Sequence, residues 1–333
     1  MSMAGTPSTS TAPVARPVAP TVRRLAPFVI FLLLALLPLA SALGLPGHWL
    51  TLVTRAMIFA IAALSLDLVL GIGGLVSFGH AAFIGIGAYG TGILITEGRT
   101  ELLVALPVIL LVCAVFAAVT GYVSLRTRGV AFIMITLAFG QMAFYIAQAL
   151  SAYGGDDGLT LYEKSTLLGL EIFGNRIGFY YIALGTLAFC YWLARRLVAS
   201  RFGRVLRAAR ENAVRVTVTG YDVNHVRLGA YVISGMMAGL SGFLLANQTD
   251  FVSPAYMSWS RSGELIFMVV LGGVGSLYGA ILGALAFLIT EDVLSGLTQN
   301  WKVIFGPLIV LFVLFTRGGI TGLIARLGGR RDG

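Results

Sequence analysis

The sequence has few charged residues, since Asp, Glu, Lys and Arg together make up only 11% of its 333 residues. An ordinary soluble domain carries about a quarter charged residues. Hydrophobic residues make up 58% of this chain, which is more apolar surface than one soluble core of this length could bury. The composition excludes a water-soluble enzyme and a disordered chain, and indicates a protein that exposes apolar side chains to lipid.

Cysteine and lysine are also scarce. The only cysteines, Cys113 and Cys190, lie in apolar runs, which argues against a disulfide framework and against a metal site. Neither Lys164 nor Lys302 follows a glycine-rich phosphate loop, and no nucleophile motif of the form G-x-S-x-G occurs. We therefore expect a chain that binds no cofactor and catalyses no reaction itself.

The formal net charge of +9 comes almost entirely from arginine. These arginines stand between apolar runs rather than on one polar face. This arrangement indicates the positive-inside rule of membrane proteins, and a lipid bilayer rather than a nucleic acid as the partner.

Apolar runs predict about ten transmembrane helices, because a helix needs about 20 apolar residues to cross a bilayer. The first run contains a helix at about 25–43 and the start of a second at about 50–70. The stretch from Glu264 to Leu294 is too long for one untilted span and is interrupted at Gly272–Gly275, which predicts two shorter helices. The runs are Leu25–Thr54, Leu68–Thr96, Leu102–Leu125, Gly129–Gly155, Ile177–Ala194, Leu228–Thr249, Leu265–Thr290 and Val303–Thr316.

Ten spans with a cytoplasmic N-terminus place most of the 23 basic residues, and both termini, in the cytoplasm. Residues 1–22 predict a disordered cytoplasmic tail, 23–320 a transmembrane domain and 321–333 a basic cytoplasmic tail. Ala40-Ser41-Ala42 resembles a signal-peptide cleavage site. Removing the first helix would reverse the charge distribution, however, so we expect that helix to be retained.

One long polar stretch, Arg195–Arg227, lies between spans and carries eight arginines. It fits a solvated loop attracted to anionic lipid headgroups. It also fits a short helix, ended by a glycine with positive φ, that docks into a groove on a partner protein. The composition leaves both interpretations open.

Glycine is abundant and clustered. Leu70–His80 resembles Leu271–Gly279, which suggests two weakly similar halves with glycine-broken helices at corresponding positions. In transporters such paired breaks indicate a translocation path, whereas small residues also allow close helix packing. The candidate path glycines are Gly71, Gly73, Gly74, Gly272, Gly273 and Gly275.

Asp67 and His80 flank the first glycine break, and they complete the candidate path. An ionisable residue inside a membrane is costly and often functional. Asp67 fits three roles: binding a substrate ammonium group, capping the Gly71 loop or reaching the cytoplasmic interface. His80 fits a proton site or a local hydrogen bond at a helix start.

Three stretches resemble the permease subunits of branched-chain amino-acid ABC importers. The first runs from Ala63 through Gly71 and His80 to Tyr89, and the second is Gly154–Leu159. The third runs from Arg207 to Gly242 and is followed by Gly272–Gly279. Their order and spacing match the family over about residues 25–320, and the chain looks like the longer, M-type subunit.

The resemblance implies an all-α integral membrane protein of the bacterial inner membrane. It implies four partners: an H-type permease, two cytoplasmic subunits that use ATP, and a periplasmic binding protein that delivers leucine, isoleucine or valine. It makes 200–227 the ATPase-coupling loop, with Arg207, Arg210, Glu211, Asn212 and Gly220 as its candidate residues. Residues 214–219 are β-branched where the family usually has alanine, so the length of the docking helix is open.

Two other functions stay open. Urea and short-amide importers resemble this family closely, and nothing in the helices excludes them. A stand-alone ion-coupled carrier would use Asp67 and His80 as a relay, but the basic loop and the lack of further buried charges argue against it.

Overall fold

The computed structural model describes residues 20–42, 46–166, 169, 173–298, 300–316 and 318–328. Residues 1–19 of the predicted disordered tail and 329–333 of the predicted basic tail lie outside this part of the chain. So does Gly44, in the predicted break after the first helix.

The described chain is helical almost throughout, which confirms the all-α prediction. Besides the helices it contains one antiparallel pair of two-residue strands, β1 (Leu159–Thr160) and β2 (Phe251–Val252). The helices are α1 (Pro20–Ala42), α2 (Gly47–Asp67), α3 (Ala81–Thr96), α4 (Leu102–Ser124), α5 (Val130–Ala149), α6 (Arg176–Ala199), α7 (Arg201–Glu211), α8 (Ala213–Val218), α9 (Val223–Thr249), α10 (Trp259–Gly272), α11 (Leu277–Leu297), α12 (Trp301–Phe315) and α13 (Gly319–Gly328).

Six described helices are long and apolar enough to cross a membrane: α2, α4, α5, α6, α9 and α11. Helices α3 and α12, and residues Leu25–Leu39 of α1, form shorter apolar segments. Together with α10, these helices occupy the positions of the ten predicted spans. The prediction of two helices in place of one over-long span between Glu264 and Leu294 is confirmed. Helix α10 ends at Gly272, and α11 runs from Leu277 to Leu297.

Helix α2 forms the centre of the bundle, packed against α6, α9, α10 and α11. Its most apolar stretch is 94% buried, whereas that of α4 is only 22% buried and leaves its leucines and valines exposed. Close contact between α3 and α9 depends on small residues, because a Cβ at Gly242 would lie 2.9 Å from the Ala88 backbone nitrogen. The burial pattern therefore separates a central helix from a peripheral one whose apolar surface is suited to lipid or to a partner helix.

Candidate functional site

The first glycine break begins where α2 ends. The chain continues from Asp67 into a buried π-helical turn, Leu68–Ile72, which extends slightly beyond the helix predicted at about 50–70. Leu75 N–H then donates to the Val69 carbonyl at 3.0 Å, and Gly74 adopts a φ of +70° that favours glycine. The break is therefore an ordered turn with its backbone hydrogen bonds made.

The second glycine break joins α10 to α11. Gly273 and Gly275 have φ values of +114° and +81°, and the Ser276 hydroxyl caps α11 by accepting from the Gly279 N–H at 3.2 Å. A Cβ at Gly279 would lie 2.7 Å from the Gly272 carbonyl oxygen. The backbones of Gly272 and Gly279 therefore lie in contact, with no room for a side chain between them.

The two breaks meet in space, although 208 positions separate Asp67 from Gly275. Asp67 is fully buried, and its Oδ1 accepts a hydrogen bond from the Gly275 N–H at 2.7 Å. A Cβ added to Gly71 would lie 2.7 Å from the Gly275 Cα, so only glycine fits there. Asp67 thus caps the opposite break rather than its own.

Helix α7 reaches this meeting point from the polar loop. The Arg210 guanidinium donates to the Gly71 carbonyl, and its aliphatic stem lies 2.6 Å from where a Cβ on Gly74 would stand. We name Asp67, Gly71, Gly275 and Arg210 the glycine junction. It brings together residues that the sequence analysis placed in two separate groups, the coupling loop and the path.

Further contacts fix α7 in place. Its apolar face buries Leu206 against Ile72 and Ala230 of α9. Arg207 donates to the Val198 carbonyl of α6 at 3.1 Å, and the buried Arg227 of α9 donates to the Ala209 carbonyl at 3.0 Å. Arg227 was counted only as a positive charge in the sequence analysis, because nothing local to it indicates a contact with α7.

The loop contains two helices, α7 and α8, where the glycine-ended interpretation predicted one short helix. Asn212 ends α7 and begins α8, its side chain accepting from the Arg215 N–H at 2.9 Å. Gly220 follows α8 with a φ of +88°, as expected for a helix-ending glycine. Helix α8 leaves Val214 and Val218 68% and 84% exposed. Glu211 is exposed as well.

Asp222 begins α9 just after this loop. Its Oδ1 accepts from the Asn224 and His225 N–H groups at 2.9 and 3.2 Å, and its Oδ2 lies 2.7 Å from His225 Nδ1. The hydrogen bonds from the His225 side chain and backbone lower the pKa of Asp222 from its ordinary value. The cap therefore stays ionised and fixes the start of α9.

His80 forms a separate buried contact. Its Nε2 lies 2.9 Å from the Ser65 hydroxyl of α2 and 3.3 Å from the Ser234 hydroxyl of α9, and Ser234 also donates to the Ser65 carbonyl at 2.5 Å. The expectation of a local hydrogen bond was wrong, because these partners are 15 and 154 positions away. The serines gave no signal beyond being polar residues within apolar runs.

The remaining candidate glycines also face protein. A Cβ at Gly73 would lie 2.6 Å from the Val69 carbonyl oxygen, and one at Gly273 would lie 2.6 Å from the Gly318 carbonyl oxygen. Gly272 packs against Gly279, as described above. Whether any of them lines a translocation path stays a prediction.

A bundle of long apolar helices, with paired glycine breaks tied to a basic loop, defines a multi-pass membrane permease. The chain belongs to the family described as the permease component of branched-chain amino acid transport systems, whose model matches residues 49–314. No solved structure matches the chain.

Individual relatives agree with this family. The chain is 29% identical over 290 residues to the high-affinity branched-chain amino acid transport system permease protein LivM of Escherichia coli, covering 80% of this chain and 68% of that protein. It is 28% identical over 313 residues to the autoinducer 2 import system permease protein LsrC of Enterobacter sp., covering 88% and 87%. It is 26% identical over 291 residues to LivH of Salmonella typhimurium, covering 81% and 93%. The chain fits the M type.

Proposed function

We propose that this chain is the M-type permease subunit of an ATP-binding-cassette importer of branched-chain amino acids. It forms the translocation path with an H-type permease. Two cytoplasmic subunits hydrolyse ATP, and a periplasmic binding protein delivers the amino acid. The names of the LivM and LivH relatives support the cargo and the pairing. The arginine distribution supports cytoplasmic termini.

The observation that carries this proposal is the Arg210 hydrogen bond to the Gly71 carbonyl. It connects the helix of a polar loop to the backbone of a break in a central, buried helix. A force applied to α7 by an ATPase subunit would reach α2 and, through Asp67, the α10–α11 break. Tight packing transmits such a displacement, because close-packed interiors compress little.

Exposed apolar side chains on α8 supply a surface for the ATPase. Val214 and Val218 are 68% and 84% exposed, and they follow the exposed Glu211 in the chain. A groove on the ATPase subunit would bury both valines. Alternating access then follows from ATP-driven closure of the ATPase pair, which moves α7 and rocks the helices around the shared path.

Purification of the tagged chain in mild detergent, with mass spectrometry of the co-purifying proteins, tests the assembly. We expect a second permease and two ATPase subunits. A chain that purifies alone and transports in liposomes with only an ion gradient would contradict the proposal and favour the stand-alone carrier.

Uptake in proteoliposomes tests the cargo. With ATP inside and the binding protein outside, we expect labelled leucine, isoleucine and valine to accumulate, and urea and short amides to be excluded. An assembly whose ATPase subunit lacks its phosphate-loop lysine serves as the control. Accumulation of urea without leucine would reject the proposed amino-acid cargo but would leave the proposed subunit assembly standing.

A further inference from the structure

A polar cleft of about 260 Å³ lies at the end of the bundle opposite α7 and α8. It is formed where α2 and α6 begin and where α9 ends. Its apolar lining includes Leu50, Phe173 and Phe179, and its polar lining includes Lys164, Arg176 and Asp250. The cleft therefore offers both an apolar surface and charges of both signs.

The two cationic side chains of the cleft differ in their ion pairing within the described residues. Arg176, the first residue of α6, is exposed and forms no ion pair with any residue in the described ranges. Lys164 lies 3.4 Å from the Asp250 carboxylate, with 33% and 46% of the two side chains exposed. A planar guanidinium with five donors is well matched to a carboxylate ligand.

Helix ends give the cleft an electrical polarity. The N-termini of α2 and α6 supply partial positive charge, and the C-terminus of α9 supplies partial negative charge next to Asp250. A site for a simple anion would gain nothing from Asp250 and the α9 carbonyls. A site for a simple cation would be opposed by Arg176 and two helix N-termini. The arrangement favours a ligand that carries both charges.

Hydrogen bonds hold this end of the bundle together. Gln248 of α9 donates through Nε2 to the Thr51 carbonyl of α2 at 3.0 Å. The buried Asn247 accepts from the Ser165 N–H at 2.9 Å and so fixes the segment that carries Lys164. The segments that carry the charged groups are thus held in place by hydrogen bonds, which limits the conformational entropy lost when a ligand binds.

We propose that the cleft binds a zwitterionic α-amino acid with an apolar side chain. Its carboxylate binds Arg176, and its ammonium group binds Asp250 in place of Lys164. Its side chain packs on the edges of Phe173 and Phe179 that line the cleft. The inference rests on the proposed function for the cargo and for the outward orientation of this end. It goes further by assigning a receiving site to this subunit itself.

Equilibrium binding of labelled leucine to the purified complex in nanodiscs, without binding protein or ATP, tests the site. We expect saturable binding that weakens at least about tenfold in Arg176→Gln, the loss typical of a charge-assisted hydrogen bond. Asp250→Asn should weaken binding similarly. Arg99→Gln removes an exposed arginine after α3 that does not line the cleft, so it should bind as the unaltered complex does.

Two analogues separate the charges of the ligand. Isopentylamine lacks the carboxylate and 4-methylpentanoate lacks the ammonium group, and both should compete with leucine at least about tenfold more weakly than leucine itself. Equal competition by either analogue would overturn the proposal, because one end of the cleft would then contribute nothing.

Other results would also overturn it. These are the absence of saturable leucine binding to the unaltered complex, and unchanged leucine binding in Arg176→Gln. ATP-driven leucine uptake by the same preparation separates the two proposals. Uptake without cleft binding rejects the cleft alone, whereas cleft binding without uptake rejects the importer function and leaves the site standing.

Discussion

The two ends of the bundle are packed differently, although α2 contributes to both. At one end, the glycine junction has no room for even a methyl group on Gly71, and it buries Asp67 completely. At the other end, the polar cleft leaves about 260 Å³ open and keeps Lys164 and Asp250 partly exposed. Transmission of a displacement requires contact without voids, whereas reception of a ligand requires space and available charge. The predictions below test this difference, from the largest expected effect on stability to the smallest.

Gly71→Ala should have the largest effect. The added methyl group would overlap the Gly275 backbone and the Asp67 carboxylate, which cannot move away cheaply. Overpacking of this kind costs about 1–3 kcal/mol and occasionally more. We expect a clear fall in the thermal unfolding temperature of the purified chain in detergent, and a loss of assembled complex.

Gly185→Ala is the matched control for this change. Gly185 lies within α6, and a Cβ there would meet nothing within 4 Å. Alanine should be neutral or slightly stabilising, by up to about 1 kcal/mol, because it restricts the unfolded chain more than glycine does. Equal effects of the two substitutions would show that the junction is not tightly packed.

Asp67 distinguishes a structural cap from an ion relay. Asp67→Ala removes the acceptor of the Gly275 N–H and should cost about 1–3 kcal/mol of stability, because a buried donor is left unpaired. Asp67→Asn keeps an acceptor oxygen and removes the charge, so it should retain most of the stability and most of the uptake. Thermal unfolding and leucine uptake are the two measurements. Loss of uptake in a stable Asp67→Asn variant would instead support a role in binding an ammonium group or a proton.

Arg210→Ala should affect coupling more than stability. Arg210 is exposed along part of its length, so loss of its bond to Gly71 should cost only about 1 kcal/mol. We expect uptake to fall about tenfold while ATP hydrolysis and membrane abundance persist, since the ATPase would no longer move α2.

Arg99→Ala serves as the control for the loss of an exposed arginine. Arg99 follows α3 and lies outside the loop, and across the described residues its side chain has no hydrogen bond or ion pair, so its removal should leave uptake unchanged. Replacement of Glu211 or Gly220 should also uncouple hydrolysis from uptake if α8 docks on the ATPase. Normal uptake in the Arg210, Glu211 and Gly220 variants together would reject the coupling role of this loop.

The sequence indicated the local features of both ends but not their assembly. Apolar run lengths and glycine clusters located the ten helix positions and both breaks, because these properties depend on neighbouring residues. The contact between Asp67 and Gly275, and that between Arg210 and Gly71, join residues 208 and 139 positions apart. These groups meet only when the helices pack, so no local pattern in the sequence indicates the contacts. The cleft left no signal in the sequence, since Lys164, Arg176 and Asp250 each resemble ordinary solvated loop charges.

Asp250→Asn should have the smallest effect on stability, in contrast to Asp67→Ala. Its ion pair with Lys164 is partly exposed, and such pairs contribute about 0–1 kcal/mol. Asparagine also tolerates the φ of +52° that Asp250 adopts after α9. We expect the unfolding temperature of the purified chain to stay nearly constant while leucine binding weakens. A large loss of stability would mean that Asp250 helps to hold this end of the bundle together. It would then remove the distinction between a tightly packed end and a ligand-binding end.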